Sequence, residues 1–325
     1  MAVLSMVEAI RSTLELEMAR DERVMVLGED VGRSGGVFRA TDGLQARFGA
    51  ERVVDMPVAE AAIVGASIGL ASAGMVPVAE LQFLGFAYQA YHQIAGQLGR
   101  MRSRANGRFG IQVTVRAPYG GGVRAPELHS DAFESVLAHC PGLKVVAPAT
   151  AADAKGLLAT AIRDPDPVMY LEPLKGYRLV RDEVPEGEHL VPFGRARVAR
   201  PGTDVTVVAW SAMVGVAEEA AAAAAGDGIS VEVLDLRTLV PLDVAALGEA
   251  VARTGRAVVL EEAPQTAGFG AEVVATIQEE AFLSLEAPIR RVSGYDTPIP
   301  MPAMEDDYVP DLRRALAAIR ETARY

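Results

Sequence analysis

Short apolar segments rich in β-branched residues alternate with longer segments of helical spacing along most of the chain. In the first half the pattern predicts strands at Arg23–Leu27, Val53–Asp55, Val76–Leu81, Gln112–Arg116, Leu143–Ala147 and Val168–Leu171. It predicts helices between several of them, at Val58–Ala73, Phe86–Arg104 and Ala151–Arg163. Continuous apolar strands that alternate with helices are typical of a parallel sheet covered on both faces. The sequence therefore predicts a doubly wound α/β fold.

The same alternation returns in the second half, after a charged stretch that follows Glu172 and contains several prolines and glycines. The predicted strands are Val205–Trp210, Val231–Leu236, Ala257–Glu262 and Ile289–Ser293, and the predicted helices are Ala212–Ala225, Val244–Thr254, Glu272–Ala281 and a last one from Asp311. A chain of 325 residues is long enough for about two domains. We therefore expect two doubly wound domains, at residues 1–185 and 203–325, joined by a linker at 186–202.

Composition argues against several classes of protein. The formal net charge of −12 disfavours nucleic acid and anionic membranes as partners, because both select basic surfaces. The single cysteine gives no disulfide framework and suits the reducing cytoplasm. The first residues lack the basic-then-apolar order of a signal peptide. The uncharged run Ala61–Ala79 approaches the length of a membrane span, but Glu60 and Glu80 at its ends favour a buried helix and strand.

The first candidate site residue is Glu60, which follows a predicted strand and lies in the first turn of a predicted helix. Ligands of such sheets bind at the loops after the carboxyl ends of strands. A carboxylate at this place also has a purely structural explanation, since it meets the positive end of the helix dipole. The long apolar sequence after Glu60 predicts a desolvated carboxyl, and desolvation moves a carboxyl pKa toward the range that serves proton transfer.

The loop after the strand Val76–Leu81 offers two more candidates. Phe86 could present a flat face to a heteroaromatic ring, although aromatic residues at this spacing ordinarily pack in the core. Gln82 could hydrogen-bond a ligand there, or it could face water.

A third loop begins with the triple glycine Gly120–Gly122 and continues to His129, which lies among polar residues that can exchange protons. A glycine-rich backbone lets a ligand come close, but three glycines can also form only a tight turn. His139 and Cys140 end an apolar segment, which indicates packing rather than catalysis. The glycine motif at residues 268–273 is incomplete, and this disfavours a nicotinamide dehydrogenase.

Several segments together resemble one family: MPVAEAAIVG, ELQFLGFAYQAYHQI, VRAPYGGGVRAPELHSD, CPGLKVVAPAT, AIRDPDPVMYLEP, VEVLDLRTLVPLD and TGRAVVLEEA. From Gly28 to Tyr308 the chain resembles the β subunit of the thiamine-diphosphate-dependent, decarboxylating component of 2-oxo-acid dehydrogenase complexes. The form GGGVRAPELHSD resembles the pyruvate-directed β subunits of some bacteria. The resemblance implies a transketolase-like pyrimidine-binding domain followed by a transketolase-like carboxyl-terminal domain.

The resemblance gives the three loops their roles. Glu60 matches the family glutamate that hydrogen-bonds a pyrimidine ring nitrogen of thiamine diphosphate. Phe86 matches the aromatic residue that packs on the aminopyrimidine, and Gln82 lies close to it in the sequence. His129 matches the loop histidine that assists either with the 2-oxo-acid substrate or with transfer of the acyl group to a lipoyl arm. The second domain matches the part that makes subunit contacts and docks on the acyltransferase core, and its charged residues near Glu261–Glu262 and within Met301–Tyr308 could meet a basic partner or only water.

The resemblance also concerns metal ions and a second chain. In such enzymes magnesium holds the diphosphate through a Gly-Asp-Gly triplet with a downstream asparagine, but here Gly226-Asp227-Gly228 has none after it and reads as a turn. We therefore expect an α-type partner chain that carries the magnesium motif, in an α2β2 assembly. A potassium site of relatives would here be formed by Val113, Thr114, Ala161, Asp164 and Asp166, although this aspartate-proline loop is equally explained as turn chemistry.

Alternatives remain within and outside this chemistry. A branched-chain 2-oxo acid could replace pyruvate as the substrate, or the assembly could cleave acetoin. From a different class, the chain could be a non-catalytic docking or scaffold subunit that keeps only the fold. The presence of Glu60, Phe86 and His129 in their expected contexts argues against the scaffold.

Overall fold

The computed structural model describes residues 1–125 and 127–325, and these form two compact units. The first unit comprises Met1–Tyr119 and Val136–Phe193, and the second comprises Gly120–Ser135 and Gly194–Tyr325. The segment Gly120–Ser135 thus belongs structurally with the second half of the chain, which no local sequence pattern indicated. Among the described residues, every helix is too short or too polar to span a lipid bilayer.

The first unit is built on a parallel sheet. Its elements are β1 (Ala2–Ser5), α1 (Met6–Arg20), β2 (Val24–Gly28), α2 (Leu44–Phe48), β3 (Val53–Asp55), α3 (Glu60–Ser72), β4 (Val76–Glu80), α4 (Ala87–Tyr91), α5 (Met101–Arg104), β5 (Thr114–Tyr119), α6 (Glu134–Ala138, at the return from the second unit), β6 (Lys144–Val146), α7 (Ala151–Arg163), β7 (Val168–Pro173), α8 (Gly176–Leu179) and β8 (Arg181–Val184). Parallel neighbours follow the order β6-β7-β5-β4-β2-β3, and the short antiparallel pair β1-β8 lies apart. The central strands β2, β4, β5 and β7 are buried along their whole length, as both-face coverage requires.

Local sequence signals begin the two helices that pack together against this sheet. Ser5 and Glu8 form a capping box at the start of α1, where the Ser5 N–H donates to Glu8 Oε2 at 2.7 Å. Thr150 caps α7 by accepting a hydrogen bond from the Asp153 N–H at 3.0 Å. α1 and α7 pack against one another, and Arg163 at the end of α7 donates to Glu17 of α1 at 2.7 Å.

The second unit is a smaller sheet of the same kind. Its elements are β9 (Arg197–Arg200), β10 (Val205–Ala209), α9 (Ala212–Ala225), β11 (Val231–Asp235), β12 (Thr238–Val240), α10 (Val244–Thr254), β13 (Ala257–Pro264), α11 (Phe269–Ala281), β14 (Arg290–Gly294), α12 (Glu305–Tyr308) and α13 (Leu312–Thr322). The strands follow the order β14-β13-β10-β11-β9, parallel except for the antiparallel edge strand β9. The predicted α/β class with largely parallel sheets is confirmed.

The predicted helix Phe86–Arg104 is wrong as a single element. The structure breaks it into α4, a π-helical turn at His92–Gln97, a 3₁₀ turn at Leu98–Arg100 and α5. Gly96 and Gly99 both lie in the irregular part, and glycine lowers helix propensity by about 1 kcal/mol. Helix α1 and the strand pair β1-β8 were not predicted from the sequence. The two strands are short and contain charged or exposed residues, so they do not form a continuous apolar run.

Candidate active site

Glu60 begins α3 just after the carboxyl end of β3. Its side chain is only 2% exposed, which confirms the predicted desolvation. Its Oε2 atom is buried and finds no hydrogen-bond partner among the residues the structure describes. A buried polar atom without a partner is costly, about 1–3 kcal/mol. The helix dipole favours a carboxylate at this position, but it does not require one oxygen to be left bare in the interior.

A second acid, Glu29, lies beside Glu60 and was missed by sequence reasoning. It follows β2 directly, is 4% exposed, and its Oε1 also lacks a partner among the described residues. Burial raises the pKa of Glu29, the charges of Glu60 and Asp30 raise it further, and the Ala59 backbone N–H opposes the rise. The available signal was its position, since it ends a buried strand in the parallel sheet, as Glu60 follows one.

Gln82 and Phe86 follow β4 at the same edge of the sheet. The Gln82 side-chain amide donates to Asp30 Oδ2 at 3.3 Å, so it is oriented by a residue of the loop after β2. The Phe86 ring meets the Phe83 ring edge-on at 5.5 Å between centroids, and Phe83 in turn contacts Phe38 at 5.5 Å. Phe86 is half-buried at the border of the core cluster, which leaves part of its ring available to a ligand. Glu60 after β3 and Gln82 and Phe86 after β4 thus follow the carboxyl ends of strands that flank β2 in the sheet.

A satisfied ionic network lies at the same edge, one strand further along. Arg116 of β5 is fully buried and donates to Glu172 of β7 at 2.7 and 2.8 Å, and also to Glu80 of β4. The Tyr177 hydroxyl donates to Glu172 as well. Burial opposes the charged form of Arg116, but Glu172 and Glu80 outweigh it and raise the pKa of Arg116. The network ties β4, β5 and β7 together, and β4 leads into the loop that carries Gln82 and Phe86.

His129 lies in the second unit, half-buried in a 3₁₀ turn at Glu127–Ser130. The turn is closed by the Ser130 hydroxyl, which donates to the Ala125 carbonyl at 3.3 Å. The base of the loop is closed by the Gly120 N–H, which donates to the Asp131 carbonyl at 3.4 Å. Burial, followed by the charge of Glu127, raises the pKa of Asp131. The assignment of His139 to packing is wrong, because its side chain is exposed; Cys140 is buried, outside any disulfide, and its thiol donates to the Val136 carbonyl at 3.2 Å.

The second unit also buries acids that the sequence had suggested as surface charge. Glu261 is fully buried and Glu262 only 7% exposed, so both alternatives considered for the pair, a basic partner and a solvated surface, are wrong because each requires exposed side chains. Glu134 accepts from the Trp210 indole N–H at 2.9 Å, and Glu261 accepts from the Gly270 N–H at 2.9 Å. Burial raises the pKa of Glu261 to about 8, the Gly270 N–H opposes this, and Glu134 adds to it. Glu305 is also buried, whereas its neighbours Asp306 and Asp307 are exposed.

The loop expected to hold potassium contains cations of the protein itself. Lys144 Nζ lies 2.6 and 2.7 Å from the two carboxylate oxygens of Asp164, and Arg102 pairs with Asp166. The carbonyls of Val113 and Ala161 each accept one backbone hydrogen bond, at 3.0 and 3.2 Å. The carboxylates therefore already have cationic partners within the protein, and the backbone carbonyls also retain spare lone pairs for an ion. Across residues 1–125 and 127–325, no group of three or more His, Cys, Asp or Glu side chains is arranged to hold a metal ion.

The triplet Gly226-Asp227-Gly228 forms the turn that ends α9. The Gly228 N–H donates to the Ala225 carbonyl at 3.1 Å, and Gly228 has a left-handed backbone with φ +79°. The Asp227 carboxylate pairs with Arg320 of α13 at 2.7 Å. This is the ordinary turn that the sequence indicated.

Comparisons with known proteins agree with this architecture. Models of the transketolase pyrimidine-binding domain and the transketolase C-terminal domain match residues 2–178 and 194–314. The chain is 48% identical to the pyruvate dehydrogenase E1 component subunit beta of Bacillus subtilis (strain 168) over 325 residues, which is 100% of both chains. It is 49% identical to the protein of the same name from Staphylococcus epidermidis, again over 100% of both chains.

Two solved structures share the fold. A chain described as split gene transketolase, inactive beta4 tetramer, superposes with a TM-score of 0.80 and 26% identity over 99% of both chains. Transketolase from Leishmania mexicana superposes with a TM-score of 0.71 over 100% of this chain and 46% of that one, at 19% identity. The resemblance and the fold class drawn from the sequence are confirmed.

Proposed function

The chain belongs to the family of the pyruvate dehydrogenase E1 component subunit beta, and from that premise we propose that it acts in the thiamine-diphosphate-dependent decarboxylation of pyruvate. In this proposal it is the β subunit of an acetyl-transferring pyruvate dehydrogenase, an oxidoreductase that passes the acyl group to a lipoyl arm. The observation that carries the proposal is the buried Glu60 carboxyl with one oxygen left open. Its single buried cysteine suits a reducing compartment, and we place the protein in the cytoplasm.

Glu60 fits the cofactor because its buried Oε2 atom lacks a hydrogen-bond partner, and a pyrimidine ring nitrogen can supply one. A pyrimidine ring nitrogen that shares a proton with the carboxyl would satisfy the open Oε2 atom and remove its desolvation cost. When bound, thiamine diphosphate supplies a nucleophilic carbon that attacks the keto carbon of the substrate and accepts the electrons as carbon dioxide leaves. Glu60 holds the proton that the cofactor ring needs for this activation. The half-buried Phe86 would offer its ring to the pyrimidine ring, and Gln82, oriented by Asp30, would be available to hydrogen-bond it.

His129 serves a later part of the reaction in this proposal. It sits in a turn closed by the hydrogen bond between Ser130 and Ala125, with Glu127 and Asp131 as its acidic neighbours in the sequence. A histidine can donate a proton near neutral pH and is suited to the substrate or to the acyl transfer. Separate assays of decarboxylation and of acyl transfer to a lipoyl domain will assign the step.

A second chain completes the site in this proposal. We expect an α-type subunit to carry most of the magnesium and diphosphate contacts, because Asp227 of the Gly-Asp-Gly triplet is paired with Arg320. Helix α3 has no charged residue after Glu60, yet Ala62 and Gly69 on it are exposed, which suits burial against another subunit. The similar split-gene transketolase chain is described as an inactive beta4 tetramer, in keeping with a β-type chain that needs its partner.

Potassium near Val113, Thr114 and Ala161 is proposed only through backbone carbonyls. The side chains of Asp164 and Asp166 are engaged by Lys144 and Arg102, so they would position the loop rather than ligate the ion. Docking of the second unit on a lipoyl acyltransferase core is proposed on family membership alone.

The experiment that tests the function reconstitutes this chain with the α-type chain and a lipoyl domain. Turnover of pyruvate should exceed that of 2-oxoisovalerate, and acetoin should not be cleaved. Preference for the branched-chain acid would overturn the choice of substrate. The chain alone should show negligible thiamine-diphosphate affinity by calorimetry, and tight magnesium-dependent binding by the isolated chain would contradict the shared site.

A further inference from the structure

The glycine loop before His129 binds a carboxylate that the chain itself supplies. Gly120, Gly122 and Arg124 all have left-handed backbones, with φ of +81°, +105° and +55°. The N–H groups of Gly122 and Arg124 both point at Glu305 Oε1, at 2.6 and 3.2 Å. Successive N–H groups in such a turn form a concavity that binds anions. The concavity is filled by Glu305 of α12, which is only 1% exposed.

Close packing explains why glycines form this loop. A Cβ atom on Gly120 would lie 2.1 Å from Glu262 Oε2, and one on Gly121 would lie 2.7 Å from the Val309 side chain. Such contacts are shorter than real Cβ atoms show, so a side chain at either position would require the loop or the opposing side chain to shift. The triple glycine thus serves approach to the second unit's own residues, all of which lie in the same compact unit as the loop.

The other end of the loop is fixed by a second buried acid. Glu134 accepts the Trp210 indole hydrogen bond at 2.9 Å, and Trp210 packs edge-on against Phe269 at 5.7 Å. His129 therefore lies between two fixed points of the loop: the Gly122 and Arg124 amides, which bind Glu305, and Glu134, which binds Trp210. The contact with Glu305 constrains the backbone more directly, because one oxygen accepts hydrogen bonds from two backbone N–H groups that are two residues apart.

We infer that Glu305 is a positioning residue, which through the amides of Gly122 and Arg124 fixes the loop that presents His129. The inference rests on the role proposed for His129 in the reaction. Glu305 touches neither substrate nor cofactor in this account. Its carboxylate fixes the backbone conformation at Gly122 and Arg124, and that conformation fixes the position of the His129 imidazole.

The first test measures the loop itself and needs no activity. Hydrogen exchange of the purified full-length chain should show the Gly122 and Arg124 amides of Glu305→Ala exchanging about 10- to 100-fold faster than in the wild type, since each loses a charged acceptor. Glu305→Gln keeps an acceptor oxygen and should restore most of the protection. Asp306→Asn is the matched control, because it removes only the exposed ion pair between Arg124 and Asp306, 2.5 Å long. Unchanged exchange at both amides in Glu305→Ala, with the fold intact by thermal unfolding, would overturn the inference.

The second test uses the reconstituted assembly and compares partial reactions. Glu305→Ala and His129→Ala should slow the same step, and the double variant should be no slower than His129→Ala, because both changes act through one group. Additive losses would overturn the inference. If Glu305→Ala does not fold, Glu305→Gln is compared with Asp306→Asn in both the exchange and the turnover measurements. If Glu305→Gln exchanges its loop amides like the wild type but does not support normal turnover, the inference is overturned.

Failure of the proposed function looks different from failure of this inference. If the loop amides lose protection in Glu305→Ala while His129→Ala leaves every partial reaction unchanged, Glu305 still fixes the loop, but the role proposed for His129 is wrong. If His129→Ala slows one step and Glu305→Ala changes neither amide exchange nor reaction rate, the role proposed for His129 is supported and the positioning role of Glu305 is wrong.

Discussion

Two groups of acids at the carboxyl edge of the first unit's sheet are similarly buried but differ in their partners. Glu80 and Glu172 share the buried guanidinium of Arg116, with further support from Tyr177. Glu29 and Glu60, on neighbouring loops, each keep an oxygen without a hydrogen bond among the described residues. The carboxylates of the first group have their partners within the chain, whereas those of the second group each keep one oxygen that a ligand could bind. An internal counter-charge thus distinguishes the acids that hold strands together from the acids for which we propose a chemical role.

The largest expected effect comes from the open group. Glu60→Gln removes the carboxyl that we propose hydrogen-bonds the cofactor ring, and we expect decarboxylation in the reconstituted assembly to fall about 100- to 10,000-fold. Stability of the chain should change by less than about 1 kcal/mol, because no partner within the chain is lost. Steady-state kinetics and urea unfolding measure both quantities, with Glu51→Gln as an exposed control. Near-normal turnover would remove Glu60 from its role.

The closed group should respond in the opposite way. Arg116→Met leaves two buried carboxylates without a counter-charge, and we expect a loss of about 3–5 kcal/mol in the free energy of unfolding. The control is Arg23→Met, which breaks an exposed pair with Asp21 and should cost less than about 1 kcal/mol. Urea titration of the purified chains measures both. Equal effects in the two variants would erase the distinction between the two groups of acids.

The second unit extends the comparison to a buried acid whose pKa is raised to about 8. Because the folded pKa of Glu261 lies above its ordinary value of 4.5, its stabilising contribution is complete below about pH 4.5 and is lost as the pH rises through about 8. Glu261→Gln should therefore match the wild type near pH 4 and exceed its stability by about 1–3 kcal/mol near pH 8. Thermal unfolding across this range measures the gap. A gap that does not widen with pH would show that Glu261 is ionised in the folded chain.

The smallest expected effect concerns the repulsion between Glu29 and Glu60. The pKa of Glu29 is raised, so its contribution to stability also falls with rising pH above its ordinary value of 4.5. Glu29→Gln should gain about 0.5–1 kcal/mol near pH 8 and nothing near pH 4. In a Glu60→Gln background the gain should shrink, since one of the repelling charges is already gone. An equal gain in both backgrounds, by urea unfolding, would place the cost of Glu29 in burial alone.

The sequence predicted most of the sheet, because buried parallel strands are continuous apolar runs that local pattern reveals. Helices α7, α9 and α10 were predicted to the residue for the same reason, with periodic apolar faces and clear ends. The strand pair β1-β8 escaped prediction because its pairing joins residues far apart in the chain and its residues are partly charged.

The candidate site was predicted in part. Glu60 was visible because so much apolar sequence follows it, and its burial is confirmed. Arg116 and Glu305 were not visible, since their importance depends on which residues meet them in space. A buried arginine and an exposed one read alike along a chain. The misplacement of Glu261 and Glu262 at the surface has the same origin.

The bond between Gly122 and Glu305 spans 183 residues, and this separation has a consequence for biosynthesis. At translation rates of about 5–20 residues per second, the amides of the loop wait roughly 10–40 s on the ribosome before their acceptor is made. The strands of the first unit are all made by the end of that interval, but the hydrogen bonds from Gly122 and Arg124 to Glu305 cannot yet form. A product truncated before α12 would therefore lack the acceptor that binds the Gly122 and Arg124 amides.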